Sequence, residues 1–221
     1  GFFSAPVKEQ GFDSNLPLES MYLVSLAILV LSLFLLYFYR DPQRTIESGI
    51  VSPADGLVQR AEIKKGMVYF SIFMNVHNVH VNRSPFDGRV ISIKHKSGGY
   101  LPAFSKDSDK NERLLTKIET SIGMMKVIQI AGVLVRRIVS YVKPNYEVAK
   151  GERIGLIHFG SRVDLSFESA GIDICVKKGD KVLAGQKLAN YTPLSSLSTS
   201  EKIFEVPKRM FSKLQASQSE D

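Results

Sequence analysis

The sequence predicts a mostly β protein: a barrel-sandwich-like domain of hairpins behind one N-terminal transmembrane helix, with short helices in its loops. Three observations carry that prediction. Met21 to Tyr39 runs without a charged side chain. From Val51 to about Tyr191, short apolar runs alternate with Gly, Pro and Asp, the punctuation of strands and turns. Two patterns also recur: SPADGLV at Ser52–Val58 returns as SPFDGRV at Ser84–Val90, and KGERIGLI from Lys150 returns as KKGDKVLAGQKLA from Lys177.

Residues 1–20 form an N-terminal segment in which Lys8 is outweighed by Glu9, Asp13 and Glu19; the chain opens on Gly1 rather than Met, as a trimmed chain would. Residues 21–39 are the transmembrane helix, since about 19 apolar residues at about 1.5 Å each span a hydrocarbon core of about 30 Å. The stretch is apolar all round, unlike an amphipathic core helix, and lacks the basic flank and small-residue cleavage site of a signal peptide. Arg40 and Arg44 follow it directly, so the positive-inside rule puts the body in the cytoplasm, at the inner face of the cell membrane. Residues 40–50 are a polar, proline-containing linker and 51–192 the catalytic domain. Within it, AFSKDSDKNERLLTK (Ala103–Lys117) is the main polar interruption and reads as a loop with a helical turn. Residues 193–221 are a flexible basic tail, in which EKIFEVPKRMFSKLQ is amphipathic but broken at Pro207. The paired hairpins resemble biotinyl and lipoyl carrier domains in architecture; the lysine motif that those carriers display is absent.

At 221 residues the chain has room for one well-buried domain and an appendage. A net charge of +7 suits nucleic acid, an anionic membrane or an acidic substrate, and the apolar helix decides for the membrane and against nucleic acid. One cysteine, Cys175, excludes an internal disulfide and agrees with a reducing compartment.

His77 and His80 stand three apart in MNVHNVHVNRSP (Met74–Pro85), which reads as a strand; side chains at i and i+3 of a strand face opposite ways, so the two imidazoles have different tasks. A chelating pair would prefer i and i+2, and His95, His158 and Cys175 are scattered, so no metal is expected. Ser161 follows Gly160 in FGSRVD, and a serine hydroxyl attacks a carbonyl only when a base takes its proton and a third group fixes that base's tautomer. Asp55 and His80 can supply those parts, although Asp-Gly turns and Gly-Ser pairs are too common for spacing alone to decide.

Several motifs in one order are more specific: FYRDPQR after the helix, SPADG, HNVHVNRSPFDG, Asn111-Glu112-Arg113, AGVLVRRIV at Ala131–Val139, and GERIGLIHFGSRVDL. Together they resemble the phosphatidylserine decarboxylase family, of its short membrane-anchored type, from the anchor to about Tyr191. The longer type has Gly-Ser-Thr where this chain has Gly160-Ser161-Arg162. The resemblance implies that Asp55, His80 and Ser161 form a self-cleavage triad, that Gly160-Ser161 is the scissile bond, and that His77 works in decarboxylation. Asp87, in the second S-P-x-D-G copy, is read as a turn residue.

The implied chemistry runs as follows. Ser161 attacks the Gly160 carbonyl, the peptide becomes an ester, and elimination leaves a dehydroalanine that loses ammonia to water. A large chain 1–160 and a small chain 161–221 result, the latter headed by a pyruvoyl group made from Ser161. That cofactor would draw electrons from phosphatidylserine as carbon dioxide leaves, giving phosphatidylethanolamine, with His77 returning the proton. Arg113, Arg136 and Arg137 are candidates to grip the phosphate. An archaeal-type ether serine lipid is an alternative substrate, and a homodimer is compatible with the sequence. Two other classes compete: a non-catalytic membrane-tethered adaptor, which would stay one band on a denaturing gel, and a zinc peptidase, which metal content would reveal.

Overall fold

The computed structural model describes residues 18–99, 111–132, 137–158 and 161–192. Expectations for the N-terminal segment before residue 18, for the loop at 103–110, for Arg136 and Gly160, and for the tail 193–221 lie outside the described residues. The chain divides into two units, one up to Tyr37 and one from Phe38 onward.

α1 (Leu18–Phe38), which runs through the first unit to the first residue of the second, starts three residues before the expected span and ends one residue short of it; its mean hydropathy of 2.5 and 21 residues make it long and apolar enough to cross a membrane. Two of its serine hydroxyls suit an apolar surrounding because each is satisfied within the helix, Ser25 Oγ donating to Met21 O (2.8 Å) and Ser32 Oγ to Ile28 O (2.7 Å).

The second unit is β throughout its described residues. An eight-stranded antiparallel sheet is built from β2 (Gly56–Lys64), β3 (Met67–Met74), β5 (Gly88–Lys96), β6 (Arg113–Thr120), β7 (Gly123–Ile130), β9 (Glu147–Val148), β11 (Ser161–Glu168) and β13 (Lys181–Val182), in the order β13-β2-β3-β11-β7-β6-β5-β9. Two three-stranded sheets complete it: β4 (Val81–Arg83), β8 (Ile138–Ser140) and β10 (Arg153–Ile157), ordered β4-β10-β8, and β1 (Ile50–Val51), β12 (Ile172–Ile174) and β14 (Lys187–Tyr191), ordered β1-β14-β12.

Two-residue periodicity makes these strands two-faced. Along β11, Ser161, Val163, Leu165 and Phe167 are buried while Arg162, Asp164 and Ser166 are only partly covered; β3 likewise buries Val68, Phe70, Ile72 and Met74. The inward sets meet in one core, with the Phe70 and Phe167 rings 6.3 Å apart.

The sequence echoes are a structural repeat. Ser52 Oγ donates to Ala54 O and Ser84 Oγ to Phe86 O, at 2.6 and 2.7 Å. Gly185 N donates to Ser52 O as Gly151 N does to Ser84 O, and the Asp55 and Asp87 carboxylates accept from Ala184 N and Lys150 N. Each S-P-x-D-G turn therefore docks on one copy of the second motif. Its glycine is required for close approach: a Cβ on Gly56 would stand 2.2 Å from Phe73 O, and one on Gly88 2.3 Å from Glu119 O.

Two local expectations are corrected. Arg113–Lys117, read as part of a loop, belongs to β6, whose alternating Leu114, Thr116 and Ile118 are buried. His77 and His80 are not on a strand either. They lie in the connection from β3 to β4, which turns because Asn75 and Asn78 bond the local backbone: Asn75 N donates to Asn78 Oδ1 (2.8 Å), Asn78 N to Asn75 O (2.9 Å) and Val76 N to Asn75 Oδ1 (3.1 Å). Their environments still differ, His77 being exposed and His80 wholly buried.

Candidate active site

His80 and Ser161 approach from opposite ends of the sequence. Ser161 opens β11, paired with Met74 at the end of β3. His80 precedes β4, and its carbonyl accepts from Ile157 N at 3.2 Å, so β10 brings the chain leading to residue 160 beside it. Both side chains have no exposed surface. Among the described residues, neither Ser161 Oγ nor His80 Nε2 has a hydrogen-bond partner. Buried polar atoms are nearly always paired, so two unpaired ones, one opening β11 and one in the connection that leaves its neighbour β3, mark a reactive place.

The tautomer of His80 follows from its other nitrogen. Nδ1 lies 2.9 Å from Asn78 O, and a carbonyl can only accept, so Nδ1 carries the proton and Nε2 the lone pair. The Phe38 ring stacks on the imidazole with centroids 4.4 Å apart and is itself fully buried. Burial is the main reason that the His80 pKa is lowered to about 4; the Asn78 hydrogen bond pulls the other way, and Arg40 and His158 lower it further. At neutral pH the ring is an uncharged base.

Asp55, expected to orient His80, is engaged elsewhere. Its carboxylate takes a hydrogen bond from Ala184 N at 2.8 Å and a close ion pair from Arg44, and there is no Asp55–His80 hydrogen bond among the described residues. The Asn78 carbonyl fixes the ring instead. Asp87 makes the same turn contact, to Lys150 N at 2.9 Å, but is exposed and lacks the arginine. The arginine therefore sets the two copies apart.

The last residue of α1 and the two that follow it touch each histidine around the site. Besides the Phe38 stack, Tyr39 OH lies 2.8 Å from His158 Nδ1 and Arg40 Nη2 donates to His77 O at 2.6 Å. Burial, and secondarily Arg137, lowers the His158 pKa. Sequence reasoning quoted FYRDPQR only as part of a pattern. An aromatic pair followed by arginine, directly after an apolar helix, was the available signal.

The phosphate candidates are dispersed. Arg137 is exposed ahead of β8, with its carbonyl accepting from His158 N. Arg113 lines a separate cavity of about 200 Å³ with Arg60, Ser71 and Asp164. His77 lines a different one, of about 380 Å³, with Asn75, Asn78 and Lys181.

Relatives give these features a chemistry. A protein of Methanococcoides burtonii named as an archaetidylserine decarboxylase proenzyme is 51% identical over 161 residues, covering 72% of this chain and 75% of its own length. Phosphatidylserine decarboxylase proenzymes of Streptomyces avermitilis (48% over 153 residues, 68% and 71%) and Thermobifida fusca (46% over 165 residues, 74% and 76%) are similarly close. The protein is therefore a decarboxylase. More narrowly, residues 31–190 match the sequence model of the phosphatidylserine decarboxylase family, and the chain belongs to that family.

Proposed function

We propose that this chain is the precursor of a membrane-anchored, pyruvoyl-dependent decarboxylase that cuts itself between Gly160 and Ser161 and then converts phosphatidylserine to phosphatidylethanolamine and carbon dioxide. The observation that carries the proposal is the pair of buried atoms Ser161 Oγ and His80 Nε2, which have no hydrogen-bond partner among the described residues, the second held as a free base by the Asn78 carbonyl.

In this reading His80 takes the Ser161 proton as the hydroxyl attacks the Gly160 carbonyl, and Phe38 keeps water off the ring. Asp55 acts by position, holding the Ala184 turn and Arg44. The pyruvoyl group formed at position 161 would supply an electron sink for the departing carboxylate. Ser161 fits that fate, since its side chain is enclosed and its hydroxyl has no hydrogen-bond partner among the described residues. His77, exposed at the mouth of a cavity, holds the proton returned to the product. Arg40 and Arg44 after the helix support a body on the cytoplasmic side of the inner membrane, where anionic lipid would meet a basic protein.

The M. burtonii relative's name favours a second reading for the lipid tail, an archaetidylserine with the same headgroup. Assaying both lipids separates the two. For self-cleavage, Ser161→Ala is expected to run as one chain and the unaltered protein as two, the smaller blocked at its N-terminus. An intact mass showing the unaltered, active protein as a single uncut chain refutes the proposal.

A further inference from the structure

The cavity beside His77 opens at the end of β3 that pairs with Ser161. In the β3–β11 register Ser161 is opposite Met74, and the cavity is lined by the residues on either side of Met74, Phe73 and Asn75. A molecule seated there reaches His77, the proton donor of the reading above.

Its chemistry is that of an anion site with an apolar rim. Asn75 and Asn78 spend their side-chain oxygens on the turn, which leaves their amide NH2 groups as donors, and no Asp or Glu lines the cavity among the described residues. Lys181 is exposed and has no ion pair among the described residues. The turn before it, Lys177–Asp180, is held by Lys177 N donating to Asp180 Oδ2 at 2.9 Å, and pairing with Leu57 fixes Lys181 at the edge of the sheet. Leu57 and Leu183 flank it at 39% and 51% exposure, well above the usual burial of leucine. Cation, amide donors and exposed leucines in one cavity match a headgroup phosphate with hydrocarbon leading away from it.

We infer that this cavity is the headgroup site and that Lys181, rather than Arg113 or Arg137, holds the phosphodiester of the serine phospholipid. The assignment rests on the decarboxylase reading above. It makes the site a joint product of both cleavage chains, His77 from the large chain and Lys181 from the small one. It also gives the second hairpin echo, KKGDK, a function that the fold alone does not require.

Binding separates this inference from the reading beneath it. In the full chain carrying Ser161→Ala, which cannot process, calorimetry with glycerophosphoserine measures the headgroup alone. Lys181→Ala in that background is expected to weaken binding on the order of tenfold, the loss of one charge-assisted hydrogen bond, and Lys181→Arg to restore most of it. Inorganic phosphate is expected to compete poorly, because it lacks the serine. In processed enzyme, Lys181→Ala should raise KM for phosphatidylserine more than it lowers kcat. Equal affinities for Lys, Ala and Arg at 181, no binding of glycerophosphoserine to the Lys181 protein, or competition by inorganic phosphate as strong as by glycerophosphoserine each overturns the assignment. None of these outcomes touches self-cleavage, which the gel reads independently.

Discussion

Because His80 is buried under Phe38 with its pKa lowered to about 4, self-cleavage should be nearly insensitive to mild acid. The imidazole is the base only when neutral, and at pH 5.5 a pKa of about 4 leaves about 97% of it neutral. An ordinary histidine with pKa 6.5 would be about 9% neutral there. The unaltered precursor should therefore process about as fast at pH 5.5 as at pH 8. Phe38→Ala admits water to the ring and lets its pKa climb toward 6.5, so the rate at pH 5.5 should drop to as little as about a tenth of that variant's own rate at pH 8. Phe38→Leu, which keeps an apolar cover, should remain flat.

The same shift sets the limit of the pH range. The folded pKa lies below the unfolded one, so the unfolded chain binds the extra proton first and stability falls as pH drops from 6.5 toward 4. The loss is on the order of 1.4 kcal/mol at pH 5.5 and approaches about 3 kcal/mol below pH 4, which is why the assay stops at 5.5. Newly synthesised precursor in membranes is followed on denaturing gels at buffered pH, and the rate of appearance of the small chain is compared. A tenfold fall for the unaltered protein between pH 8 and 5.5, with an apparent pKa near 6.5, would refute the buried-base account.

Two further outcomes test the remaining geometry. Asp55→Ala strips the partner from a partly buried Arg44 and should cost on the order of 1–3 kcal/mol of stability along with processing, measured by thermal unfolding in detergent; lost processing at unchanged stability would instead mark Asp55 as a triad carboxylate. After cleavage the two chains should co-elute under native conditions and separate only in denaturant, because β11 sits between β3 and β7 and β14 is paired with β1; separation on a native sizing column would contradict the sheet order.

Local physics made much of this protein legible from its residues. A lone uninterrupted apolar run in lipid becomes a helix, because a single segment there satisfies its backbone only within itself, and alternating runs that open on Asp-Gly become turns feeding strands. The repeated S-P-x-D-G pattern was readable for the same reason: its hydrogen bonds lie within the motif or to its matching echo. Ser161, His80 and His77 were nameable because the motifs holding them are short and ordered.

Tertiary structure decided which partner each group takes. Strand periodicity gave the histidines different environments for the wrong reason, since two asparagine side chains, not a strand, shape that connection. The Asn78 carbonyl, rather than Asp55, sets the His80 tautomer, and Asp55 turns to Arg44 and to Ala184. Tyr39 meets His158 across 119 residues, and Lys181 reaches the His77 cavity from the far end of the chain. Such pairings depend on sheet order and register, and a single sequence carries no local signal of which distant donor will arrive first at a buried acceptor.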